Sequence, residues 1–118
     1  MEPIYQLQSD PHHDGGVRVR LSGEVDVSVV EEVHDALAEL VADLTPPPSG
    51  EVALDLSDLE FIDSSGIRML LQTALDAEPS GLHIRVVALS DSVRRVFDIA
   101  GVNDLLRVVP RGERNGQA

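Results

Sequence analysis

The sequence predicts an α/β domain, a mixed and mainly parallel sheet of four to five strands with its helices packed on one face. Three observations carry this. Stretches with the two-residue alternation of strands are interleaved with stretches whose apolar residues recur every three or four positions, as in repeated strand-helix-strand crossovers. At 118 residues there is material for one core and not for two. Within the strand-like stretches Arg18, Arg20, Asp55, His83 and Arg85 alternate with apolar residues, so one sheet face is wet and the helices are confined to the other.

The elements follow in order. Val17-Arg18-Val19-Arg20-Leu21-Ser22 alternates as a strand, and Ile4 to Gln8 reads as a weaker edge strand paired with it, across a turn at Asp10-Pro11-His12-His13-Asp14-Gly15-Gly16. After Gly23-Glu24-Val25-Asp26 comes a first helix carrying Val29, Val33, Leu37, Leu40 and Leu44, with Ser28 and Glu31 in the spacing of a capping box and Pro46-Pro47-Pro48-Ser49-Gly50 as its stop. Val52-Ala53-Leu54-Asp55-Leu56 is a strand. Ile67, Leu70, Leu71, Ala74 and Leu75 mark a second helix, ended by Pro79-Ser80-Gly81, and Leu82 to Val86 alternates again. Ser90 suits the N-cap of a third helix bearing Val93, Val96, Phe97 and Ala100, which Gly101 ends in a left-handed conformation. Leu105 to Val109 reads as a last strand. The domain is therefore expected to span 1–109, with 110–118 a polar tail that frays.

Composition removes several functions. The formal net charge is −12, from 21 acidic and 9 basic residues, which leaves no basic surface for nucleic acid or anionic lipid. All nine basic residues are Arg, so chemistry that needs a Schiff-base or P-loop lysine is excluded. There is no Cys for disulfides, thiol catalysis or thiolate metal sites. No basic leader precedes an apolar run and no stretch approaches a membrane span, so a cytoplasmic protein is expected. No strained Gly-x-Ser-x-Gly elbow is present, and enzymatic activity is not expected. Glu24, Asp26, Asp63 and Asp91 would resemble the Mg²⁺ cluster of a receiver domain, but that chemistry also needs a lysine; no metal or cofactor is expected. His12 and His13 read as a solvated hairpin tip rather than a metal site, and His34 and His83 as surface positions.

In a parallel sheet the carboxyl ends of the strands share one edge, where binding sites gather. Three loops should converge there: Gly23-Glu24-Val25-Asp26, Asp63-Ser64-Ser65-Gly66 and Ser90-Asp91-Ser92. The run from Leu54 to Gly66, ending in Asp63-Ser64-Ser65-Gly66, resembles the signature of the STAS domains, and among them the bacterial anti-sigma factor antagonists. Gly23-Glu24-Val25-Asp26 resembles that family's Gly-Glu-Leu-Asp loop, and the run from Val93 to Gly101 resembles its third helix. The match extends from about Val17 to Val109 in the family's order.

The resemblance implies a STAS-like fold and a protein switched by phosphorylation. Ser64 would be modified by a partner that is both anti-sigma factor and serine kinase; the unmodified protein would bind that partner and free the sigma factor. A serine phosphatase would reverse the modification. Glu24, Asp26, Asp63, Ser65, Gly66, Arg68, Ser90 and Asp91 are the expected partner contacts.

A phosphate at a helix start meets free N–H groups and the positive end of the helix dipole, worth about 0.3–1 kcal/mol when exposed. Phosphorylation is therefore expected to act on the interface and not on the fold. Ser64 as a plain helix N-cap, and Asp26 as a plain turn carboxylate, stay open as readings. Arg68 lies one helical turn beyond Ser64, where the family commonly has a small or apolar residue; it is read either as a solvated arginine or as a partner for the phosphate. A STAS adaptor in another signalling or transporter-associated complex, and a small-ligand or nucleotide-binding STAS domain, are the alternative functions.

Overall fold

The computed structural model describes residues 4–11, 17–44 and 50–109. The chain runs β1 (Tyr5–Pro11), β2 (Val17–Val25), α1 (Val30–Asp43), β3 (Glu51–Leu56), β4 (Leu59–Ile62), α2 (Ser64–Ala77), a single 3-10 turn (Glu78–Ser80), β5 (His83–Leu89) and α3 (Asp91–Ala100). Across the sheet the order is β1-β2-β3-β5, with β4 added to β2. β1 is antiparallel to β2 and every other pairing is parallel, the mixed, mainly parallel sheet expected. β2 pairs with β3 through residues 17–20 and then, past a register shift at Gly23, with β4 through Val25.

Alternation decides the layers. Val19, Leu21, Val52, Leu54, Ile84 and Val86 turn to one side, where they join Val33, Leu37 and Val41 of α1, Ile67 and Leu70 of α2, and Val93 and Phe97 of α3 in one buried cluster. The stop of α3 is as expected, with Gly101 left-handed at φ 71° and its N–H bonded to Phe97 O at 2.9 Å. On the other side Arg18, Arg20, His83 and Arg85 are half-buried. Their neighbour Asp55 departs from the expected wet position, being 1% exposed.

Asp55 is stable there because every approach is polar. Arg18 donates to its Oδ2 from Nε at 3.1 Å and more closely from Nη2, and Arg20 Nε stands 3.7 Å away. Ser57 donates to Oδ1 from its amide at 2.9 Å and its hydroxyl at 2.6 Å. Burial pushes the carboxyl pKa up, but the Ser57 and Arg18 hydrogen bonds together outweigh it and hold Asp55 below the usual aspartate value.

Other expectations are corrected. β1 extends through Asp10 and Pro11, residues expected in the turn, with Pro11 at the end of an edge strand where its missing N–H is tolerated. Leu59–Ile62 is a strand that the alternation does not reveal, because its burial runs buried, exposed, exposed, buried. Leu105 to Val109 forms no strand; two bonds, Val86 N–H to Leu106 O and Val109 N–H to Val86 O, fasten it beside β5. The Ser28–Glu31 capping box is not made. Val29 is the cap residue of α1 without a side-chain bond, since the Ser28 hydroxyl is bonded to Asp26 Oδ1 at 2.5 Å. Leu75 is 61% exposed and so lies off the core face of α2. His34 and His83 both keep part of their surface in water, in line with surface positions. His12 and His13, the stop at Pro46–Pro48 and the tail from Pro110 lie outside the described residues.

Candidate functional site

The start of α2 is organised by Asp63, the N-cap, held in extended backbone geometry. Its Oδ1 accepts from the Gly66 amide at 3.1 Å and from the Ser65 hydroxyl at 2.5 Å. Its Oδ2 accepts from the Val27 amide at 3.1 Å. One carboxylate therefore satisfies a free amide of the helix and also ties the helix mouth to the loop that follows β2. The Ser65 hydroxyl is the largest influence on Asp63, and with the Gly66 and Val27 amides it lowers the carboxyl pKa against a smaller upward push from burial.

With the cap assigned to Asp63, the plain N-cap reading of Ser64 is set aside. Ser64 is the first residue of α2 and is exposed. Among the described residues no hydrogen bond engages its hydroxyl, whereas both neighbours are committed, Asp63 to the cap and Ser65 to Asp63. Gly66 lets this helix mouth press against the sheet. A Cβ there would stand 2.5 Å from Ile62 Cγ1 and 3.2 Å from Val25 Cγ1, both in the packed core.

The three expected loops do converge, and β4 is what gathers them. Asp63 N–H bonds Val25 O at 3.3 Å, joining the second loop to the first. The Ser90 hydroxyl donates to Leu59 O at 2.6 Å and the Ser92 hydroxyl donates to Glu60 O at 3.2 Å, joining the third loop to β4. Ser90 also caps α3, accepting from Val93 N–H at 3.3 Å, as the sequence predicts. Gly23 is required where β2 shifts register: its φ is 96° and a Cβ would stand 2.2 Å from Ile4 O.

Glu24 and Asp91 are exposed on the rim. Asp26 accepts from the Ser28 amide and hydroxyl, a local turn that fixes the loop ahead of α1. Arg68 is exposed and lines an open groove between α1 and α2 with Ser65, Met69 and Gln72, facing Glu31, His34 and Asp35. Two rim residues escape sequence reasoning. Val27, in the turn after β2, is 73% exposed and Phe61, on β4, is 48% exposed, and hydropathy alone does not tell an exposed apolar residue from a core one. Among the described residues no group of three or more His, Asp or Glu side chains is arranged to hold a metal ion, and no helix is long and apolar enough to cross a membrane.

A family model described as "Mlab, STAS domain" matches residues 9–109. The chain is similar to an anti-sigma-B factor antagonist of Staphylococcus epidermidis, 27% identical over 96 residues that cover 81% of this chain and 85% of that one. Among solved structures, an anti-sigma factor antagonist from Mycobacterium paratuberculosis superposes with a TM-score of 0.73 at 26% identity, covering 94% of this chain and 91% of that one. The anti-sigma factor antagonist SpoIIAA in its unphosphorylated form shares the fold, with a TM-score of 0.64 at 22% identity over 92% of this chain and 91% of that one.

Proposed function

The chain belongs to the STAS domain family, and from that premise we propose that it is an anti-sigma factor antagonist, a cytoplasmic binding protein rather than an enzyme, switched at Ser64. The unphosphorylated protein binds an anti-sigma factor through the rim of the 1–109 domain and so frees a sigma factor. That partner is also the serine kinase: the γ-phosphoryl group of ATP passes to Ser64 Oγ, the bond to ADP breaks, the hydroxyl proton is released, and the complex separates. A serine phosphatase restores the binding form. Glu24, Asp26, Asp63, Ser65, Gly66, Arg68, Ser90 and Asp91 are the residues proposed to contact that partner or to shape the contact surface.

The observation that carries this reading is the position of Ser64, an exposed and uncommitted hydroxyl between two committed neighbours at the mouth of a helix. Curated relatives bearing the antagonist name support the class. The physics gives the direction of the switch. Phosphorylation adds about −1.5 to −2 charges where helix amides tolerate them, so the fold persists. Opposite a partner that holds a nucleotide over Ser64, the same charge faces the nucleotide's own phosphates, and repulsion there ends the association.

Intact-mass measurement after incubation with a cognate anti-sigma factor and ATP tests the site. One phosphoryl group is expected on the wild-type chain and none on Ser64→Ala. Modification of the alanine variant would overturn the assignment, and a pull-down that retains no anti-sigma factor on the unphosphorylated protein would overturn the function.

A further inference from the structure

The fold does not leave its apolar surface evenly in water. Six large apolar residues are exposed among the described residues, and three of them, Ile4, Val27 and Phe61, lie at the end of the sheet that carries Ser64. Phe61 is the most informative. Of the two phenylalanines in the chain, Phe97 is 0% exposed in the core, whereas Phe61 is 48% exposed on a four-residue strand. Threonine or glutamine would serve the strand there without leaving an aromatic ring in water.

Register shows what stands beside it. The Glu24 amide bonds Ile4 O at 2.8 Å, and Glu24 is the cross-strand partner of Phe61. Tyr5, Val25 and Ile62, the residues that follow Ile4, Glu24 and Phe61, pack on the core side. Glu24 and Phe61 are therefore neighbours across β2 and β4 on the open face, and the exposed Ile4, just ahead of β1 and bonded through its carbonyl to the Glu24 amide, continues the row. The three rim segments themselves are acidic: residues 23–28, 57–66 and 90–92 include Glu24, Asp26, Asp58, Glu60, Asp63 and Asp91 and no Arg.

We infer that the row Ile4, Glu24 and Phe61 is a second contact zone for the anti-sigma factor, accepting an apolar side chain between Ile4 and Phe61 beside an Arg or Lys that pairs with Glu24. The inference rests on the antagonist reading and adds the chemistry of the partner's surface. Charge complementarity selects a basic partner. It argues against a second copy of this chain, because a two-fold contact at this end would set carboxylates against carboxylates. Continuity supports the same occupant, since Phe61 lies three residues before Ser64 and β4 leads straight into α2. The two zones then divide the work. The row supplies affinity whatever the state of Ser64, and the Ser64 zone decides release.

Binding of the unphosphorylated full chain to its anti-sigma factor, measured by calorimetry, tests this. Phe61→Ser is expected to weaken binding roughly tenfold or more, the behaviour of an aromatic anchor, while Leu75→Ser, an exposed apolar residue on α2, changes it less than about twofold. Glu24→Gln is expected to weaken binding a few-fold at low salt and to lessen its salt dependence. Melting temperatures of the three variants show whether each is folded, and Ile4→Ser stands in if Phe61→Ser is not. Wild-type affinity in Phe61→Ser, or binding that strengthens as salt is raised, would overturn the second zone. If Ser64→Asp still abolishes binding in that case, the antagonist reading survives; if the wild-type chain binds no anti-sigma factor, both fall.

Discussion

Asp55 and Asp63 begin as the same local device and end in different roles. Asp55 is the penultimate residue of β3 and Asp63 follows β4, and each takes a hydroxyl hydrogen bond on Oδ1 from a serine two residues on, Ser57 at 2.6 Å and Ser65 at 2.5 Å. Each is held below the usual aspartate pKa. They differ in what meets the second oxygen. Asp55 receives Arg18 and Arg20 and is sealed into the open sheet face at 1% exposure. Asp63 receives the Val27 amide, stays partly in water and shapes the rim around Ser64. A two-residue turn thus fixes a carboxylate's direction, and the third partner determines whether it serves the fold or the site.

Substitutions test this division. Asp55→Ala is expected to have the largest effect on stability, about 2–3 kcal/mol in urea unfolding. That is less than the loss of a fully buried ion-pair partner, because Arg18 and Arg20 keep more than a third of their side-chain surface in water. Anti-sigma factor binding by the folded fraction should be unchanged. If Asp55→Ala alters affinity and leaves stability intact, the assignment of this carboxylate to the fold is wrong.

Gly66→Ala comes next, at about 2 kcal/mol, because the added methyl drives α2 away from Ile62 and Val25. It should also weaken partner binding, since Ser64 moves with the helix; an unfolding curve and an affinity titration that match wild type would refute that packing role. Asp63→Ala is expected to cost about 1 kcal/mol, the usual value of a lost cap, with a larger relative loss in binding. Both carboxylates should also show in the pH dependence of stability. Both folded pKa values are depressed, so each contributes stability that is complete above the unfolded aspartate value of about 3.9 and is lost as pH falls through the lower folded value. Thermal melts below about pH 5 should show a flatter acid limb for Asp55→Asn than for wild type, with Asp63→Asn changed in the same direction. The smallest effect on stability belongs to Ser64→Asp, within about 0.5 kcal/mol of wild type, together with loss of partner binding; a marked drop in melting temperature would mean that the acceptor supports the fold.

Where local chemistry decides the outcome, the sequence was enough. Ser90 caps α3, Gly101 ends it, and the three loops meet on one edge because parallel strands place them there. Competition between neighbours accounts for what was not legible. Ser28 has the spacing to cap α1, yet Asp26 takes its hydroxyl from the other side. Asp55 alternates like a solvent-facing residue, but alternation gives the face and not the depth, which depends on arginines 37 and 35 positions earlier in the chain. β4 is too short for a period to emerge, and its pairing with β2 passes over β3, the strand next to it in sequence. Phe61 could not be recognised as a rim residue before that pairing was known.

That short strand has a consequence for kinetics. With the 23–26 loop, the mouth of α2 and the start of α3 all fastened to β4, the contact surface exists before any encounter. Little backbone ordering is left for the moment of association, so binding should proceed as simple rigid-body docking in a single kinetic phase. A change that loosens β4 should introduce a slower step instead, by making the partner wait for the edge to assemble.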